Sequence, residues 1–294
     1  MTLLAANLLA RLERLQLANR RRLAGGLVGE HRSPRHGSSL DFADFRQYYP
    51  GDDLRRLDMN ALARLDRLLI KLFEAEDDLT LRLLVDTSGS MAGPKLLRAK
   101  QIAAAIGFVS LVRRDIVTVH TLPQTGAPPA SNPRFRGRAA HPAFFAHLEQ
   151  LEADGPSTIV AAVDRVLAQP GPPGLTVILS DFLTPDWEAC IQRLPARRGD
   201  FAVVQVLDQV DLDPGTPGSG LLGDLELVDR ETGERVEVSL SASALDDYRR
   251  LANDWADDVA HAARANGGSY LRIFSDDDLD RVLLGGARTA GVLR

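Results

Sequence analysis

The chain has 294 residues, enough at roughly 150 residues per domain for one large or two modest domains. Its 45% hydrophobic and 26% charged residues exclude fibrous, collagen-like and disordered classes. All but Lys71, Lys95 and Lys100 of the 35 basic residues are arginine, yet the net charge is -5, which argues against the broad positive field of a general nucleic-acid binder.

Residues 1–40 carry seven arginines against Glu13 and Glu30. Leucines at 4, 8, 12 and 15 predict an amphipathic helix ending near Gly25-Gly26, so this segment reads as a basic N-terminal helical arm whose charges form a solvated face, with peripheral contact to anionic lipid or attraction to the acidic C-terminal third as the alternatives. Its charge follows the apolar stretch, a poor signal-peptide arrangement. Residues 25–60 are turn-rich and predict no regular element. Apolar runs at 68–73 and 79–85 predict two strands joined by a short acidic connection. Pro94 and the apolar spacing from 96 to 109 predict a helix, followed by a strand at 115–122, a Pro- and Arg-rich loop to about 138, and helices at 142–152 and from 158.

Residues 175–181 and 200–208 read as buried strands, with a helix between them opening at Pro185. The segment 221–240 flanks Glu231-Thr232-Gly233-Glu234 and predicts a β-hairpin insertion. A helix over 242–265, a strand at 269–274 and an N-cap at Ser275 close the chain. The alternation predicts an α/β, Rossmann-like domain with a mainly parallel central sheet and helices on both faces. Cys190 is the only cysteine, so no intrachain disulfide can form; with no apolar run near the ~18 residues that cross a bilayer, a reducing, cytoplasmic setting is expected.

The run 79–85 leads into Asp86-Thr87-Ser88-Gly89-Ser90 on a strand-to-helix loop, at the carboxyl edge where parallel sheets place ligands. Alternate positions 86, 88 and 90 offer one carboxylate and two hydroxyls, hard donors suited to Mg²⁺ or Mn²⁺. Asp181 follows one predicted strand and Ser157-Thr158 precede one predicted helix, both on that edge. This set of Asp86, Ser88, Ser90, Thr158 and Asp181 resembles the metal-ion-dependent adhesion site (MIDAS) of von Willebrand factor type A (vWA) domains. The resemblance implies that Ser88 and Ser90 ligate a cation directly, that Asp86 and Asp181 set the charge and orient bound water, and that Thr158 alternates between direct and distant contact.

Upstream, Gly51, Asp52, Asp53, Arg55, Asp58, Ala63 and Arg64, with the later LLVDTSGSM, resemble the signature of the bacterial family named domain of unknown function 58. That likeness implies three parts: the arm at 1–40, a signature segment at 41–78 packing on the core, and a vWA-like domain at 79–294. It also implies a non-catalytic partner of a MoxR-type AAA+ ATPase in protein maturation or remodelling, capturing an acidic side chain of a client through the cation. Met59 stands where the family usually carries tryptophan and is expected to fill the same apolar gap. Arg55, Asp58 and Arg64 form either a partner surface or structural pairings that fix the loop.

Two other classes are weighed. A Mg²⁺-dependent phosphoester hydrolase needs a base or nucleophile, and neither the six histidines nor Cys190 shows suitable spacing. Nucleic-acid binding would use Arg20 to Arg22 and Arg134, Arg136 and Arg138, with Phe135 as the stacking side chain. Gly89 to Lys95 fails the phosphate-loop spacing, and Pro94 removes a donor such a loop needs.

Overall fold

A computed structural model describes residues 3–18, 42–73, 79–122, 133–156, 159–169, 172, 174–196, 199–215, 223–229 and 233–294. The chain divides into two compact units, Met1–Leu23 with Leu79–Arg294, and Ala24–Asp78.

The first helix, α1 (Ala6–Leu12), buries Leu8 and Leu12 in the core of the larger unit, with Leu3, Leu4 and Leu17 beside them. Leu17 bridges to Leu293, Arg11 pairs with Asp280, and Glu13 pairs with Arg138 at 2.5 Å. The described part of the expected arm is therefore a leucine-faced strap on the α/β unit. The basic start and acidic end of the chain meet through one exposed ion pair, Arg11–Asp280, of small energetic weight.

In the smaller unit, β1 (Phe42–Gln47) pairs antiparallel with β2 (Leu69–Phe73), and α2 (Met59–Leu65) lies between them in sequence. Regular structure thus forms where turn residues suggested none: β1 forms by pairing with β2, and Asp58 caps α2 by accepting from Asn60 N (2.8 Å) and Ala61 N (3.2 Å). The runs 68–73 and 79–85 are both strands but join different sheets.

The larger unit begins with β3 (Thr80–Asp86), buried at every residue as a central parallel strand must be. Gly93, at φ 80°, turns the chain into α3 (Pro94–Val112). There follow β4 (Ile116–Leu122), β5 (Arg134–Arg136), α4 (His141–Glu149), α5 (Ile159–Ala168), β6 (Gly174–Ser180), α6 (Trp187–Arg193), β7 (Asp200–Leu207) and α7 (Gln209–Leu212). Next come β8 (Gly223–Val228), β9 (Arg235–Leu240), α8 (Ala242–Ala265), β10 (Ser269–Phe274) and α9 (Leu279–Arg281).

The sheet order is β10-β7-β6-β3-β4-β5, parallel throughout except for β5, a short antiparallel edge inside the segment expected to be loop. This is the expected α/β class. Leu81, Leu83 and Val85 face α1, α3 and α4, whereas Leu84 and Ile178 face α5, α6 and α8. A Cβ on Gly174 would lie 1.9 Å from Thr80 O, so the close β3–β6 approach requires glycine.

The hairpin β8–β9 forms as expected, with Gly233 at φ 74°, while Glu231 and Thr232 lie outside the described residues. The N-cap expected at Ser275 is instead Asp278, which accepts from Arg281 N at 2.7 Å; Ser275 Oγ bonds Asp208. Among the described residues no helix is long and apolar enough to cross a membrane.

Candidate functional site

The chain leaves β3 through α3 to β4 on one side, and β6 lies on the other, so the sheet's switch point falls between β3 and β6. Asp86 ends β3 and Asp181 follows β6, which brings these two expected residues to one edge. Asp86 is 4% exposed and Asp181 2%. Asp86 Oδ1 accepts from Ser88 N at 2.9 Å, and Oδ2 accepts from Ser180 Oγ at 2.5 Å. Ser180 Oγ in turn accepts from Phe182 N at 2.9 Å.

Ser88 and Ser90 bring their hydroxyls 3.1 Å apart, Ser88 buried and Ser90 half-buried. The motif loop is strapped to a neighbouring one: Gly89 N donates to Gly155 O and Asp154 N to Thr87 O, each at 2.9 Å. Thr158, a few residues on, lies outside the described residues.

Two residues that sequence reading missed complete the site. Lys95 Nζ donates to Asp181 Oδ2 at 2.9 Å and to Asp211 Oδ2 at 3.1 Å. Asp211, on α7, makes a capping box with Asp208. Asp181 Oδ1 accepts from Leu183 N at 3.1 Å, across Phe182 at φ 63°. A signal for Lys95 existed in the composition: one of three lysines in an arginine-rich chain stands in the first turn after the motif, where a compact ammonium fits between carboxylates better than a planar guanidinium.

Burial, then the nearby Asp181 charge, raises the Asp86 carboxyl to about 6 despite the Ser180 and Ser88 hydrogen bonds. Burial lowers the Lys95 ammonium, but Asp181 and Asp211 more than reverse this and its pKa ends raised. Two carboxylates thus face one ammonium, and Asp86 adds its charge beside Asp181.

Hard oxygen donors such as these carboxylates and hydroxyls are the type that suits a divalent cation. Each oxygen of Asp86 takes one of the hydrogen bonds above and keeps a lone pair. Among the described residues no three His, Cys, Asp or Glu side chains cluster for metal binding, so a cation here would also need the Ser88 and Ser90 hydroxyls.

In the smaller unit the signature carboxylates are structural. Asp52 binds Arg46 through both oxygens, at 2.7 and 2.5 Å, and accepts from Tyr49 N at 2.9 Å; the Arg46 hydrogen bond holds its carboxyl at about 2. Gly51 takes φ 105° in that turn. Asp53 accepts from Arg55 N at 3.0 Å, and Asp58 adds Lys71 Nζ at 3.6 Å to its cap. Arg55 and Arg64 are exposed and pair with no carboxylate of this unit among the described residues, so the expected Arg55–Asp58–Arg64 pairing is not what fixes the loop. Met59 is 65% exposed at the start of α2 and does not fill an apolar gap, a correction to the expected packing.

The rival readings gain little from the geometry. His120 is buried beside Thr118 Oγ1 (3.0 Å), and His141 and His147 lie in an aromatic cluster with Phe108 and Phe135. Cys190 is fully buried. Arg134 and Arg136 project outward from β5, but Phe135 between them is buried against Phe144 and offers no stacking face. Arg20 to Arg22 lie outside the described residues.

An open, mainly parallel α/β sheet with a carboxylate–hydroxyl site at its switch point defines the class. Residues 44–257 match the model of DUF58, a protein family of unknown function, and the chain belongs to that family. It is 29% identical over 278 residues to Rv1480 of Mycobacterium tuberculosis and equally to Mb1516 of Mycobacterium bovis, covering 92% of this chain and 86% of each relative. More distant solved structures include BatB from Bacteroides thetaiotaomicron, with 11% identity over 72% of this chain and 98% of that one, at a TM-score of 0.40. Another is the VWA domain of SpRpn10, with 11% identity over 70% and 93%, at 0.38.

Proposed function

We propose that this protein is a metal-dependent protein-interaction module, a vWA-type domain rather than an enzyme, whose β3/β6 edge captures an acidic side chain of a partner. The observation carrying this is the convergence of buried Asp86 and Asp181 from adjacent strand ends beside the paired Ser88 and Ser90 hydroxyls. Asp86, Ser88 and Ser90 would hold Mg²⁺ or Mn²⁺, with Asp181 and Thr158 supporting it. A cation bound there supplies one open coordination position to an incoming carboxylate.

The chain's own residues prepare that event. Ser180 and the Ser88 amide fix the Asp86 carboxylate, Lys95 orients Asp181, and the Gly89–Gly155 bond holds the motif loop in place. A charge-assisted contact in such a water-poor site makes partner affinity depend on cation occupancy. The resemblance to the family supports a MoxR-type AAA+ ATPase as the companion and a protein client as the target, and the single cysteine supports a reducing, cytoplasmic setting. Mg²⁺ titration by calorimetry on wild type and Asp86→Ala tests the site, and recovery of the ATPase with and without chelator tests the coupling. Equal heats in both proteins, or equal recovery in both conditions, would sink the metal-dependent reading.

A further inference from the structure

A second place in the fold gathers three arginines beside a sheet edge. β10 is one edge of the central sheet, and its outer side pairs with no strand among the described residues. Along it runs a groove of about 740 Å³, lined by Arg264 from the end of α8, Tyr270 and Arg272 of β10, Arg281, and the Gly285-Gly286 pair. The segment Val282–Gly286 is a wide π-helical turn, a rare element that recurs at functional sites.

The three arginines are not equivalent. Arg272 is committed: Nε donates to Tyr270 Oη at 3.0 Å and Nη2 to Asp257 at 2.8 Å. Tyr270 Oη also donates to Gln205 Oε1 at 2.5 Å, so the ring is fixed. Arg264 lies over that ring at 5.3 Å from its centroid. Neither Arg264 nor Arg281 has an acidic partner among the described residues, and both are exposed. This gathering runs against the local trend, since residues 200–294 hold nine basic against nineteen acidic side chains and three of those nine meet here.

A sheet edge with no strand on its outer side among the described residues, a groove along it and two guanidiniums without an acidic partner there together match one ligand class. We propose that this groove takes an extended acidic peptide segment of a partner, adding as a strand to β10 with its carboxylates on Arg264 and Arg281. Arginines at an edge can also serve only to repel other strands, so the test separates recognition from protection.

The probe is a fluorescent octapeptide alternating glutamate with valine, measured by anisotropy against the full chain in chelator, which keeps this groove independent of the cation site. Saturable binding is expected, at least tenfold weaker for the glutamine counterpart, for a peptide N-methylated at alternate residues, and for Arg264→Glu/Arg281→Glu. Absence of saturable binding, indifference to the double substitution, or equal affinity of the N-methylated peptide would overturn the proposal. So would a labelled oligonucleotide that binds this groove more tightly than the peptide.

Discussion

Lys95 Nζ donates a hydrogen bond to Asp181 Oδ2 at 2.9 Å, with 5% and 2% of the two side chains exposed. Such a pair adds little over apolar packing, but removing one partner strands the other charge in a medium that cannot solvate it. Lys95→Met should therefore lower stability by about 3 kcal/mol in chelator, read from the denaturant midpoint. Mg²⁺ should restore part of that loss by supplying the missing positive charge. A variant as stable as wild type would show that the pair is not held as described.

The Asp86 carboxyl, raised to about 6, sets a pH dependence of unusual sign. Between about pH 4 and 6 the folded protein keeps a proton that the unfolded chain has released, so stability falls as pH rises through that window and levels off above it. Subtracting the Asp86→Ala profile removes the contributions of other groups. In chelator the difference between pH 5 and pH 7 should be about 1 kcal/mol in favour of pH 5. Saturating Mg²⁺ should flatten it, because bound cation favours the ionised form. A difference of opposite sign would refute the assignment.

Much of this edge was legible in the sequence because its signals are local. The continuous apolar runs before Asp86 and Asp181 fix both residues at strand ends, and parallel topology then brings them together without knowledge of any contact. Ser180 and Asp211 were not legible, and Lys95 only as a rare lysine without a role, since their pairings span 86, 94 and 116 residues of chain. The N-cap failed at Ser275 for a related reason: Asp208 draws its hydroxyl away, and Asp278 takes over. Met59 failed because a helix start in a small unit offers no gap to fill.

The exposed signature arginines and the buried signature carboxylate should separate on mutation. Asp58→Ala removes the acceptor of two α2 amides and should lower the thermal midpoint of the chain. Arg55→Ala touches no ion pair among the described residues of its unit and should leave that midpoint unchanged. If Arg55 belongs to a partner surface, the same variant should weaken recovery of the proposed companion ATPase. Loss of stability with binding intact would instead make Arg55 a structural residue.

Cys190 reports on the core between the sheet and α6. Its side chain is 0% exposed and packs in the cluster containing Ile178, Ile191 and Val203. Burial, followed by the charges of Asp186 and Asp86, pushes its thiol far above the ordinary range. The thiolate that attacks disulfide reagents is thus scarce, and the reagent has no approach to the sulfur. Modification of the native protein at pH 8 should be at least about a thousandfold slower than in denaturant, because it waits for an opening that costs several kcal/mol. Leu84→Ala, which cuts into the same cluster, should speed it markedly. Fast modification of the native protein would mean that the α5, α6 and α8 layer does not seal the sheet.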